Sequence, residues 1–348
     1  MSYLKKIVVI VALLLACGMG FFSYQIYTNF LTPNTAFPQG KAEIFIRTGS
    51  TFPEVLQQIS PLLKNPESFS KIAQQKGYAQ AVKAGHYVLK NGMTNRQILS
   101  VLRFGNTPVK VTFNNQERLE NLAGRIAQQI EPDSLSLLQA FRDTHFLQEN
   151  GFTQENALCM YLPNTYEFYW NTSPKQFRLR MAKAYEKFWN AERLQKAENE
   201  NLTPVQVSVL ASIVQKESSK PDEYQRIAGV YLNRLHDGWK LGADPTVIFA
   251  IKKGTNNYDL VIKRVLFKDT EYPSPYNTYQ VFGLPPGPIT MPDARSIDAV
   301  LNAEKHRFYF FVADVNRPGY HLFSQTLSQH NQYKKSYVNW LEKNKIKR

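Results

Sequence analysis

The 348-residue chain is poor in cysteine, modest in charge and not enriched in glycine or proline. Two cysteines, Cys17 and Cys159, exclude a disulfide framework and a four-cysteine zinc site. The first lies in an apolar run and the second far downstream, so no bridge between them is expected. Only 20% of residues are charged, and 17 Gly and 19 Pro are too few for a collagen-like or low-complexity chain. With 43% hydrophobic residues, among them 22 Phe and 19 Tyr, the chain is not mainly disordered either. No internal repeat is visible. The histidines (His86, His145, His236, His306, His321, His330) show no metal-ligand spacing such as HExxH, so neither metal nor cofactor is expected. The formal net charge of +14 favours an anionic partner. The basic residues are scattered and form no known nucleic-acid module, so nucleic acid is not expected.

What the chain does have begins at its N-terminus. Ile7 to Phe22 is a run of sixteen residues without a polar side chain, and no charge occurs between Lys6 and Lys41. Extended to Tyr27 the run has 21 residues, and about 20 cross a bilayer as a helix. Lys5 and Lys6 on the short side predict a cytosolic N-terminus. Phe21, Phe22, Tyr24 and Tyr27 suit an aromatic belt at the outer interface. A cleaved signal peptide is the rival reading, with Ala16-Cys17-Gly18-Met19-Gly20 as its small-residue site. Leu14-Leu15-Ala16-Cys17 also loosely resembles a lipoprotein acylation box, although the residues after Cys17 stay apolar.

The remainder predicts an α+β fold. Residues 32–40 (TPNTAFPQG) read as a linker. Glu43–Arg47 alternates like a strand, and Thr51 precedes a helical stretch with Val55, Leu56 and Ile59, which Pro61 ends or kinks. Gly85–Leu89 reads as a second strand, Asn91-Gly92 as a turn, and Thr94 as the cap of a helix carrying Ile98, Leu99 and Leu102. Val109–Phe113 reads as a strand. Helices are expected at about 118–130 and 134–147, with a long, charged, solvent-facing one at 174–199. A basic tail, residues 343–348, ends the chain.

Residues 203–217 (TPVQVSVLASIVQKE) carry the most chemical information. Thr203 and Pro204 are helix-start signals. Leu210, Ile213, Val214 and Glu217 share one helical face, and Ser218-Ser219-Lys220-Pro221 stops the helix. Glu217 therefore continues an apolar stripe at a helix C-terminus. Lost hydration and the negative helix end should both raise its pKa, as a general acid requires at neutral pH. On pattern alone, a rim residue or salt-bridge partner remains the commoner reading. Residues 226–236 form a second amphipathic helix. Asp244-Pro245-Thr246 opens a third, with Asp244 read as its N-cap. Two proline-set loops follow, Ser274–Tyr279 and Gly283–Ile289. Their Tyr and Asn residues suit the apolar faces and hydroxyls of a sugar.

The ordered segments ASIVQKE, AGVYLNRL, ADPTVIFA, SPYNTY, GLPPGPI, FVAD and HLFS resemble the endolytic murein transglycosylase (YceG-like) family. The resemblance covers nearly the whole chain, with LPNTYEFY (162–169) matching a Pro-Asx-Thr-Tyr segment. It implies an anchor at 1–31, a linker at 32–40, a LysM-like subdomain at 41–107 and a catalytic domain at 108–342. It also implies peptidoglycan glycan strands as substrate, an extracytoplasmic catalytic domain on the bacterial cytoplasmic membrane, and work beside penicillin-binding synthases, ending glycan elongation. Glu217 is then the catalytic acid/base. Asn233, Asp244, Thr246, Tyr276, Asn277, Thr278, Tyr279 and Tyr166 are the candidate substrate-binding residues. Three positions depart from the family pattern: Gln215 stands where a second Glu is common, Gly242-Ala243 replaces Gln-Ser, and Pro292-Asp293 replaces Pro-Gly. A lysozyme-type hydrolase and a non-catalytic peptidoglycan-binding scaffold stay open beside the lyase. His321 and Ser324 lack a third partner or a nucleophile elbow, and His321 is expected to be structural.

Overall fold

The computed structural model describes residues 3–38 and 40–343. It is a mixed α+β structure of many helices and small two-stranded sheets. The chain divides into two compact units. Residues up to 111, with 129–132 and 166–173, make the first; the rest makes the second.

In the first unit, α1 (Tyr3–Ile26) is a 24-residue helix. At 1.5 Å per residue it extends about 36 Å, enough to cross a hydrocarbon layer. Tyr3–Gln25 is long and apolar enough by composition to cross a membrane, and none of its most hydropathic window is buried. Antiparallel β1 (Lys41–Ile46) and β2 (Gly85–Lys90) pair with Ile44 opposite Tyr87. Ile44, Ile46, Tyr87 and Leu89 face a core completed by α2 (Phe52–Ile59), α3 (Pro66–Gln75) and α4 (Asn95–Phe104). As expected, Pro61 lies beyond the end of α2, in a single 3₁₀ turn. Thr94 caps α4, its hydroxyl accepting from the Gln97 N–H at 3.4 Å. The start of the expected linker is tied down: buried Asn34 donates to Asn95 Oδ1 (2.6 Å) and the Asn65 carbonyl (2.9 Å). Trp170, from a later segment, packs on Phe45 with centroids 5.2 Å apart.

β3 (Val109–Phe113) and β4 (Asn164–Phe168) pair with each other. The second unit continues with α5 (Leu119–Ala127), α6 (Ser134–Phe141) and α7 (Thr144–Glu149). The single helix expected at 134–147 is thus two. Asp143 breaks it by accepting from the Phe146 N–H at 3.2 Å, which makes it an N-cap. The expected long helix is likewise α8 (Pro174–Phe188) and α9 (Ala191–Asn199), divided where Asn190 accepts from the Arg193 N–H at 3.0 Å. Nor is α8 a purely solvated surface helix. It buries Phe177 and Met181, and also Arg178, which pairs with Asp143 at 2.8 Å.

Helix α10 (Pro204–Glu217) runs through the second core with Val207 to Val214 all buried. Around it pack α11 (Tyr224–His236), α12 (Asp244–Gly254) and α14 (Ala294–Leu301), while the short α13 (Phe267–Thr270) packs on α12. The hairpin β5 (Phe310–Ala313) and β6 (His321–Ser324) follows, with Phe311 opposite Phe323. Helix α15 (Leu327–Lys343) covers that hairpin. Apart from Lys343, the basic tail lies outside the described residues.

Candidate active site

Thr203 and Gln206 form a reciprocal capping box at the start of α10, and Pro204 takes the first turn, where its missing N–H leaves nothing unpaired. Fourteen residues later the helix ends on Glu217, as Ser218 turns to extended backbone (φ −134°, ψ 143°). The end is held from behind. The Ser218 hydroxyl donates to buried Glu223 at 3.1 Å. Glu223 also accepts from the His321 N–H (2.8 Å) and pairs with its ring at 2.9 Å. His321 is the structural residue expected.

Glu217 is half-buried, its carboxyl partly withdrawn from water. Tyr231, two turns along α11, donates its hydroxyl to Glu217 Oε1. Loss of hydration pushes the Glu217 pKa up to about 7, and the Asp244 charge adds to that rise. The Tyr231 hydrogen bond and the Arg234 guanidinium pull it down, but burial wins. The Tyr231 hydroxyl is driven well above the usual phenol range, first by burial and then by Glu217, so it stays a donor. Arg234 is engaged elsewhere, donating from Nε to the Tyr309 carbonyl at 2.7 Å and from Nη1 to the Leu241 carbonyl.

Asp244 corrects one expectation. It is the first residue of α12 and not its cap, the capping position falling to Ala243. Its carboxylate, exposed at the surface, accepts from the Tyr279 hydroxyl at 2.7 Å. Partial loss of hydration pushes the Asp244 pKa up. Glu217, Tyr231, Arg234, Asp244 and Tyr279 thus form one electrostatic group.

The other candidates lie inside the fold. Thr278 is fully buried; its Oγ1 accepts from the Ala243 N–H (2.9 Å) and lies 2.8 Å from the hydroxyl of buried Thr246. Asn277, also fully buried, donates to the Thr270 and Tyr272 carbonyls (2.9 and 2.8 Å) and accepts from the Tyr279 N–H at 3.0 Å. Tyr276 is buried against Phe249, centroids 4.9 Å apart. Asn233 donates to the His306 and Phe308 carbonyls, both at 3.0 Å, pinning that strand entry to α11. Thr246, Asn277 and Thr278 thus shape the loop that presents Tyr279 to Asp244. Tyr166 sits on β4 in residues of the first unit, half-buried, its hydroxyl pushed up to about 12 by burial. A cavity of about 540 Å³ lined by Phe152, Tyr185, Pro204 and Pro286 lies at the N-terminal end of α10, away from Glu217.

Neither Tyr231 nor Arg234 stood out in the sequence. The available signal was a tyrosine on the apolar face of residues 226–236, since a buried phenol seeks a hydrogen-bond partner. The unusual Gln215 has a structural place: its Oε1 accepts from the Asp293 N–H (2.8 Å) and the Ser296 hydroxyl (3.0 Å), fixing the start of α14.

A half-buried carboxylic acid beside a phenol donor, with a second carboxylate close enough to feel its charge, is chemically able to exchange a proton with a bound group. The chain matches the sequence model of the YceG-like family over residues 44–336 and belongs to that family. It is 29% identical over 294 residues to the endolytic murein transglycosylase of Bacillus subtilis, covering 80% of this chain and 79% of that protein. The protein of the same name from Streptococcus pneumoniae is 27% identical over 371 aligned positions, covering 97% of this chain. The chain spans 66% of that relative's length. A crystal structure of a yceG-like protein from Listeria monocytogenes superposes with a TM-score of 0.55 at 26% identity, covering 84% of this chain and 98% of that one.

Proposed function

We propose that this protein is a lytic transglycosylase that cuts peptidoglycan glycan strands internally, with Glu217 as its acid and then its base. The observation that carries this reading is the half-buried Glu217 carboxyl at the end of α10, hydrogen-bonded to Tyr231. The relatives named endolytic murein transglycosylase support it. Protonated Glu217 gives its proton to the oxygen linking N-acetylmuramic acid to N-acetylglucosamine. The C1–O bond breaks through an oxocarbenium-like state. The Glu217 carboxylate then takes the proton of the muramic C6 hydroxyl as O6 bonds to C1. Glu217 ends protonated, the product carries a 1,6-anhydro end, and no water is consumed. One protein carboxyl suffices because the nucleophile belongs to the substrate, whereas most glycosidases use two.

In this reading α1 anchors the chain in the bacterial cytoplasmic membrane with the rest outside the cytosol, where cutting nascent strands beside penicillin-binding synthases would end their elongation. The net charge of +14 suits the stem-peptide carboxylates of the substrate. Tyr279 and Asp244 border the reacting groups, and Asn233, Thr246, Tyr276, Asn277 and Thr278 act by holding the loops in shape.

Mass spectrometry of the products tests the reaction type. Anhydro ends are expected. Ends heavier by one water would establish instead the hydrolase, to which the neighbouring Asp244 gives some support. The pH profile tests the acid. Activity should fall as pH rises through the Glu217 pKa of about 7, where the proton to be donated is lost. Tyr231→Phe removes a donor that favours the carboxylate, so the falling limb should move to higher pH, by about one unit. A limb that stays in place or moves down would refute the part given to Tyr231.

A further inference from the structure

Beside this site lies an aromatic surface that the reaction above does not use. Helix α11 closes in a Schellman turn: the Trp239 N–H donates to the Arg234 carbonyl at 2.7 Å and the Gly238 N–H to the Leu235 carbonyl at 3.2 Å. Gly238 sits at φ +68°, a conformation that disfavours any side chain. The turn aims Trp239 outward, and the residue is 45% exposed. It is nevertheless held in place. Its ring leans on Tyr309 (centroids 5.0 Å, planes 39° apart) and on Phe310 (6.0 Å). The Tyr309 hydroxyl in turn donates to Asp237. A large, fixed, half-exposed indole is costly to leave in water and suits a ligand with a flat apolar face.

Its place in the fold says which ligand. Arg234 bonds the Tyr309 carbonyl on one side, and its guanidinium lies 6.0 Å from the ring centre of Tyr231, the partner of Glu217. Trp239 and Asp244 are five residues apart along the chain, at most about 18 Å when extended. That is the reach of a few sugar rings. We infer that Trp239, supported by Tyr309, is a stacking platform for a sugar ring of the same glycan strand, beyond the residues flanking the cut. The inference rests on the glycan-strand reading of Glu217 and adds a subsite to it. An N-acetylated pyranose presents axial C–H bonds on one face and can cover an indole while its hydroxyls stay wet. An enzyme that cuts within a strand gains by holding the polymer away from the bond it breaks, because contacts remote from the cut can position it.

The test uses the full-length chain in detergent with the E217Q substitution, so that binding is read without turnover. Length-fractionated glycan strands and a muramyl disaccharide are the probes. With E217Q alone as reference, E217Q/W239A should bind long strands about tenfold more weakly, the size of one aromatic contact. E217Q/W239F should recover most of that loss, and disaccharide binding should be alike in all three. Unchanged strand affinity in E217Q/W239A would overturn the platform. So would an equal loss for strand and disaccharide, which would mark Trp239 as a support of the site itself. Strand cleavage by E217Q would fell the acid assignment instead, and the platform with it.

Discussion

Glu217→Gln is expected to abolish strand cleavage, lowering turnover by a factor on the order of 10³, within the range that a positioned general acid contributes. Glutamine keeps the shape and still accepts from Tyr231, but it has no proton to give to a glycosidic oxygen. Binding of glycan strands should survive, since no charge is added and the cap of α10 is untouched. Unchanged turnover would refute the assignment outright, and loss of both turnover and binding would mean that the residue holds the site together.

The same substitution should stabilise the fold at neutral and alkaline pH. Burial raises the Glu217 pKa from 4.5 to about 7. Between those values the folded chain keeps a proton that the unfolded chain releases, so stability is highest below the lower value and declines as pH rises toward the upper one. Above it the deficit levels off, on the order of 3 kcal/mol. The uncharged amide of E217Q carries no such deficit. Melting curves of the wild type and E217Q should nearly coincide at pH 4 and separate by pH 8, with the inactive variant melting higher. The opposite order at pH 8 would mean that the carboxylate is stabilised by its surroundings.

Gly287→Ala should be the most damaging of the small substitutions. A Cβ there would lie 2.0 Å from the Glu155 carbonyl oxygen and 2.6 Å from its carbon. The obstacle is backbone, next to the buried turn Ala157–Met160, so it cannot swing aside as a side chain would. Overpacking of this kind costs about 1–3 kcal/mol or more, and for a unit of this size the melting midpoint should fall by several degrees (about 2–4 °C per kcal/mol). Activity should fall as well. Two residues on, the Ile289 N–H donates to Ser212 of α10 at 3.1 Å, so a displaced loop pulls on the helix that carries Glu217. An unaltered midpoint would show that the Glu155 segment yields.

Local signals were readable where local physics is sufficient. Thr203-Pro204 starts α10 because a hydroxyl cap and a proline suit a helix N-terminus in any tertiary context. Leu210, Ile213 and Val214 share a helical face with Glu217 because of the 3.6-residue turn, although α10 is buried all round from Val207 to Val214 and Glu217 itself only in part. Alternation in residues 43–47 gave a strand for the same reason, and 85–89 read as a second strand; that the two pair was decided by the fold. Reading failed where a short polar side chain competes with the helix. Asp143 and Asn190 cut two expected helices because each can accept from a main-chain N–H three residues on, and nothing in the surrounding periodicity announces it.

Of the proposed site, the position of Glu217 at a helix end was legible and its neighbours were not. Asn277 and Thr278 read as groove residues because amides and hydroxyls in proline-set loops can face either way; packing turned both inward to bond the loop. Asp244 read as a cap because an aspartate before a proline usually is one, yet Tyr279, 35 residues later, takes its carboxylate.

Sequence alone suffices for an apolar N-terminal helix, a capped helix ending in a glutamate and a mixed fold, since each depends on contacts only a few residues apart. Folding alone brings Tyr231 to Glu217, sets Asp244 and Tyr279 beside them and fixes Trp239 at the rim. Those contacts join residues from different helices and loops, and their energies depend on burial, which does not exist until the elements pack.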